Sequence, residues 1–140
     1  MLERASEMAS ERSHEYITLE HLLLSLLQDQ QVIKILKDVK ADVMLLQADI
    51  LTHIDQKMND IIRDGTPPRK TQAIERVFNR AVTQVIFSGR KTLLPRDILV
   101  SIMSEKESYA LYYLKKNNVT RQSLIQFITK DAINLSLIHI

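Results

Sequence analysis

Thr18-Leu19-Glu20-His21-Leu22-Leu23-Leu24-Ser25-Leu26-Leu27 is the most apolar helical stretch of the chain, and its reading decides the fold. Leu19, Leu22, Leu23, Leu26 and Leu27 fall at i, i+3, i+4, i+7 and i+8, the stripe that one helix face presents. Leu24 widens that stripe until the helix must be nearly surrounded. Thr18 stands where an N-cap hydroxyl accepts a first-turn amide, and Glu20 adds negative charge where the helix dipole favours it. A variant of the stretch returns as Leu94-Pro95-Arg96-Asp97-Ile98-Leu99-Val100-Ser101-Ile102-Met103.

The return can be checked by register. Subtracting 76 from Phe78, Arg80, Ala81, Gly89, Leu93, Ile98, Leu99, Ser101, Ile102 and Met103 gives Leu2, Arg4, Ala5, Ser13, Ile17, Leu22, Leu23, Ser25, Leu26 and Leu27. After two extra residues an offset of 78 pairs Leu114, Thr120, Leu124 and Ile128 with Leu36, Asp42, Leu46 and Ile50. Core meets core and cap meets cap. A four-helix unit that cannot bury its apolar face alone packs against its duplicate, which predicts one all-α globular domain of about eight helices in two pseudo-twofold-related repeats. The boundaries expected are 1–62 for the first repeat, 63–72 for a linker, 73–131 for the second repeat and 132–140 for a tail, disordered or foreign to the natural protein.

Composition agrees. The 140 residues are 45% hydrophobic and include two glycines and three prolines, enough apolar material for one core and few turn formers. The absence of cysteine rules out disulfides and Cys-ligated zinc. Met1 to Ser13 alternates charged and apolar residues, and no apolar run approaches a membrane span, so a soluble cytoplasmic domain without signal peptide is expected. Residues 1–62 carry six basic and eleven acidic side chains, a balance of −5; residues 63–140 carry thirteen and six, a balance of +7. The basic charges are spread singly, without a dense run or interleaved aromatics, which fits a solvated face better than a nucleic-acid surface.

Helix ends are marked along the chain. The first helix is expected over 2–12, followed by a short connection through His14, Glu15 and Tyr16. Asp29 and Asp42 are placed to cap the third and fourth helices, the latter with its stripe running on to Ile61. The stretch Arg63 to Gln72 breaks the pattern with Gly65, Pro67 and Pro68. Ile74, Val77, Phe78, Ala81, Val82, Val85 and Ile86 form the fifth helix, closed by Gly89, and Pro95 opens the sixth. Ser104 and Glu107 have capping-box spacing for the seventh, and Thr120 caps the eighth.

Catalytic motifs are missing. Only Gly65 and Gly89 are available for a phosphate loop, and no GxSxG turn exists. The cluster His14, Glu15, Glu20, His21 lacks the HExxH spacing and reads as polar residues at a helix start rather than a metal site. Tyr109, Tyr112 and Tyr113 point in at least two directions on a helix and are expected to cover a lobe junction rather than to stack bases.

The phrase His14-Glu15-Tyr16-Ile17-Thr18-Leu19-Glu20-His21-Leu22-Leu23-Leu24, then Ser88-Gly89-Arg90, then Ser104-Glu105-Lys106-Glu107-Ser108-Tyr109-Ala110, resembles the N-terminal domain of Clp/Hsp100 AAA+ unfoldases, most of all the ClpA type. The likeness runs from about Met1 to Asp131 and keeps the order of both repeats. It implies a double Clp N repeat that binds without catalysing, takes no cofactor or metal, and is monomeric in isolation. It docks a ClpS-like adaptor and protein substrates ahead of an ATP-driven ring that feeds the ClpP protease. The ATPase modules are absent from this chain.

The family's adaptor-docking face maps onto Glu15 and Glu20, with Thr71, Glu75 and Phe78 at matching positions beside them. Both acids are expected to be exposed on rigid backbone, so that Glu15→Lys or Glu20→Lys weakens adaptor binding and leaves the fold intact. A related branch, ClpC, holds phosphoarginine with an acid in each repeat. Here the second repeat offers Arg96 opposite Glu20, and a cation there repels the guanidinium of such a ligand. The linker is also shorter than the ClpA type implies, and the tail 132–140 matches nothing in the family. Two other readings stand beside this one: an N-domain of a ClpC- or ClpB-like chaperone that binds substrates directly, and a helical nucleic-acid-binding protein resting on the basic half.

Overall fold

The computed structural model describes residues 1–63 and 65–138, the last nine as backbone only. Eight α-helices follow one another: α1 Leu2–Glu11, α2 Leu19–Leu26, α3 Gln30–Asp38, α4 Val43–Gln56, α5 Gln72–Phe87, α6 Pro95–Ile102, α7 Tyr109–Lys116 and α8 Arg121–Ile138. Every residue of α2 is buried. Thr18, Asp29, Asp42 and Thr71 cap their helices by accepting the amide of the third helical residue, at 3.5, 3.1, 3.0 and 3.3 Å. Each such cap satisfies an amide that the helix itself leaves unpaired.

Several helix contacts of one half recur in the other. α1 packs on α2 as α5 packs on α6. Across the centre α2 meets α6, α2 meets α7 as α6 meets α3, and α4 meets α7 as α8 meets α3. The offset of 76 holds at single hydrogen bonds: Ser25 Oγ donates to Met1 O at 2.7 Å, and Ser101 Oγ donates to Val77 O at 2.8 Å. It also holds in the backbone, because Ser13 (φ 55°) and Gly89 (φ 73°) turn their chains through the same left-handed conformation. At the offset of 78, Lys40 and Asn118 do so at 66° and 67°. One continuous core joins the halves, with Leu22, Leu23, Leu36, Leu46, Ile98, Leu99, Leu114 and Leu124 fully enclosed.

Several local features differ from expectation. The connection through Tyr16 is a two-residue strand, β1 Tyr16–Ile17, paired in parallel with β2 Arg69–Lys70 from within the stretch read as a linker. α4 ends at Gln56, and Ile61 lies in a separate 3₁₀ turn, Asn59–Ile61. Ser104 does not cap α7; Ser108 does, accepting the Leu111 amide at 3.1 Å. The reason is Glu105, which turns inward to Arg76 at 2.7 Å and Arg80 at 2.6 Å, so the chain makes another turn before the helix starts. Residues 132–138, expected as a tail, continue α8, while 139–140 lie outside the described residues.

Candidate functional site

The β1–β2 pairing builds the site. Arg69 N–H donates to Glu15 O at 2.9 Å and Thr71 N–H donates to Ile17 O at 3.3 Å, so the strands lay residues 15–17 alongside 69–71. The Glu15 carboxylate, 20% exposed, receives Arg63 on one oxygen and Arg69 on the other, each at 3.4 Å. The Arg69 guanidinium also lies 5.7 Å above the Tyr16 ring. Glu15 is therefore a half-buried acid between two cations.

Beside it an open groove of about 630 Å³ runs between α1, the strand pair and the start of α5. Leu2, Ile17 and Pro68 give it apolar surface; Arg69 and Lys70 contribute positive charge, and Glu3 and Glu75 negative charge. Glu75 is exposed in the first turn of α5. Thr71 is half-buried and its hydroxyl is committed to capping α5. Phe78 is half-buried against the core one turn on, and Val82 and Ile86 continue its face along α5 into solvent, beside the 83% exposed Phe87. Such a surface offers apolar contacts with a mixed-charge rim, the usual anatomy of a protein-docking face.

Glu20 is a correction. The sequence places it in solvent, but it is 7% exposed. From the second position of α2 it lies close enough to His53 of α4 to favour that ring's charged form, against the burial that lowers its pKa. α4 and α7 both pack on α2, with His53 of α4 near Glu20, which a helix start does not reveal in one dimension. Glu20→Lys would therefore bury a cation and disturb the fold.

The tyrosines split as their spacing suggests. Tyr113 is buried with its Oη 3.2 Å from His53 Nδ1, Tyr109 lies against the same imidazole with ring centroids 4.5 Å apart while itself 56% exposed, and Tyr112 is exposed. Tyr109 and Tyr113 thus cover the junction of α4 with α7. His14 and His21 form a buried pair, Nδ1 to Nε2 at 2.9 Å; His139 lies outside the described residues. Among the described residues no three His, Asp or Glu side chains gather as a metal-binding group, and no helix is long and apolar enough to cross a membrane. Many of the second half's cations are matched internally: Arg76 and Arg80 with Glu105, Arg90 with Asp97, Lys116 with Asp49.

Sequence reasoning missed Arg63, Pro68, Arg69 and Lys70. Their signal was a short extended run, Pro-Pro-Arg-Lys, directly before the Thr71 cap.

Comparison with known proteins places these features in context. Residues 1–117 match the family described as the Clp repeat (R) N-terminal domain. The "ClpA homolog protein" of Fuscovulum blasticum is 33% identical over 126 residues, which is 89% of this chain and 16% of that relative's length. Among solved structures, the N-domain of ClpV from Vibrio cholerae superposes with a TM-score of 0.73 at 21% identity, covering 92% of this chain and 78% of that one. The Hsp104 N-terminal domain from Candida albicans gives 0.73 at 13% identity, covering 88% and 80%.

Proposed function

The chain belongs to the Clp repeat (R) N-terminal domain family, and from that membership we propose that it is the adaptor- and substrate-binding domain of a cytoplasmic ClpA-type unfoldase, docking a ClpS-like adaptor for proteolysis by a ClpP-type partner of the ring. The observation that carries the reading is the groove itself. A rigid parallel strand pair brings Glu15, Arg63 and Arg69 next to Thr71 and Glu75, on a face with apolar floor and charged rim. Of the residues expected to dock the adaptor, Glu75 lines the groove, Glu15, Thr71 and Phe78 lie beside it, and Glu20 is buried near His53 of α4. The chain supplies binding, and the ATP-driven work belongs to modules outside it. The division into a first repeat over 1–62 and a second over 73–131 is part of the same proposal, supported by the matched caps and turns.

A second reading has its own support. The solvent-facing Val82, Ile86 and Phe87 extend the Phe78 face and would suit direct contact with unfolded substrate, as in a ClpC- or ClpB-like chaperone. A fluorescence-anisotropy titration separates the two. Saturable binding of a labelled ClpS-type adaptor is expected, whereas binding of an unfolded polypeptide with no response to the adaptor would contradict the proposal in favour of the second reading.

A further inference from the structure

The two halves close the same corner with different chemistry. In the first half, His21 accepts the Thr18 backbone N–H at its Nδ1, 3.0 Å away, so its ring proton resides on Nε2. That Nε2–H donates to His14 Nδ1 at 2.9 Å, which leaves the His14 proton on its own Nε2. In the second half, Asp97 Oδ2 accepts the Leu94 N–H at 2.8 Å, and its two oxygens bind Arg90 at 2.8 and 2.7 Å. His14 and Arg90, like His21 and Asp97, are 76 residues apart, the offset that superimposes the halves. Each pair fastens the left-handed turn after the first helix of its half to the start of the second. The backbone agrees, with His14 N–H on Ala9 O at 2.9 Å and Arg90 N–H on Val85 O at 3.1 Å.

We propose that the His14–His21 pair is an acid-labile latch, so that mild acid loosens this corner of the first half while the Arg90–Asp97 latch keeps the corresponding corner of the second half closed. In this arrangement the histidine bond needs His14 Nδ1 as an acceptor. Once His14 is protonated, Nδ1–H faces Nε2–H, and the contact is kept only if His21 moves its proton to Nδ1, toward Thr18 Oγ1 at 2.9 Å, and gives up the Thr18 N–H. The second latch contains no imidazole.

The surroundings favour the neutral pair. His14 is 3% exposed and His21 fully enclosed. Burial, then the charge of Arg12, lowers the His14 pKa below its ordinary 6.5; burial, then His14 and Arg12, lowers that of His21 to about 3. Asp55 of α4 and Asp60 of the 3₁₀ turn face His14 and act in the opposite direction, and Asp55 is itself paired with Arg12 at 2.6 Å. A histidine whose folded pKa is depressed contributes stability that is complete above its unfolded pKa and declines as pH falls below it. The window therefore opens near pH 6.5 and runs downward toward the folded pKa of each ring, with unfolding favoured by up to about tenfold more per pH unit through His21, whose pKa is lowered to about 3, and further through His14. The same corner carries the strand with Glu15: Arg63 N–H donates to Ser13 O at 2.7 Å, and Glu15 N–H to Ile61 O at 2.6 Å. The latch does not depend on what the groove binds.

Amide hydrogen exchange on the 140-residue chain between pH 7.5 and 5, corrected for intrinsic rates, tests it. Protection of the His14, Glu15 and Arg63 amides is expected to fall at least about tenfold further than that of Gly89 and Arg90. An equal fall in both halves, or none in either, overturns the proposal. Transplanting the second latch with His14→Arg and His21→Asp together should abolish the difference, since His53 titrates in both proteins. A retained difference would overturn the proposal too. Imidazole nitrogen shifts of the unsubstituted protein at neutral pH give a reading independent of that variant's folding: Nε2–H on both rings is expected, and Nδ1–H on His21 contradicts the latch.

Discussion

Leu22→Ala is expected to lower the unfolding free energy by about 2–5 kcal/mol, the range for removing a large apolar side chain from a closed core. Leu22 is fully buried on a helix with no solvent face, so the cavity has little freedom to collapse. Its counterpart Ile98, also fully buried, should show a similar loss in Ile98→Ala. Because α2 and α6 touch across the centre of the molecule, the two substitutions combined should depart from additivity. Phe87→Ala is the contrast: the ring is 83% exposed, and its removal should stay within about 0.5 kcal/mol. Urea denaturation followed by circular dichroism measures all of these. Equal effects for Leu22→Ala and Phe87→Ala would contradict the burial on which the fold rests.

Glu15→Lys is expected to reduce affinity for a ClpS-type adaptor by at least about tenfold, or about 1.4 kcal/mol. Among the described residues the Glu15 carboxylate is the acid paired with both Arg63 and Arg69, and a lysine there would add a third cation beside them. The ion pairs involve mostly exposed arginines at 3.4 Å and contribute little to stability, so the melting temperature should move by no more than a few degrees. Glu20→Lys should lower stability as well as binding, because its charge would be buried next to His53. Anisotropy titrations alongside thermal melts separate the two cases. Full affinity in Glu15→Lys would remove Glu15 from the docking face.

Much of this was legible in one dimension because the duplication writes the rules twice. The leucines of α2 and the apolar residues of α6 recur at one offset, and Thr18, Asp29, Asp42, Pro95 and Thr120 mark helix starts through local chemistry. Other features depend on partners distant in sequence. Two-residue strands leave no alternating pattern, so β1 and β2 appear only once the chain is folded. Ser104 has capping-box spacing but loses its role because Arg76 and Arg80 pull Glu105 inward. Glu20 looks like a solvent-facing first-turn acid until α4 and α7 pack on α2. The equivalence of His14–His21 and Arg90–Asp97 was hidden for another reason. The two pairs share no chemical likeness, only the task of holding the same turn.

The docking face is tested most directly by mapping the adaptor onto it. In amide chemical-shift spectra of the chain titrated with a ClpS-type adaptor, the account predicts perturbations concentrated at residues 15–17 and 68–78, with the pseudo-symmetric second-half positions 91–93 unmoved. Perturbations centred on the second half, or none at saturating adaptor, would contradict it.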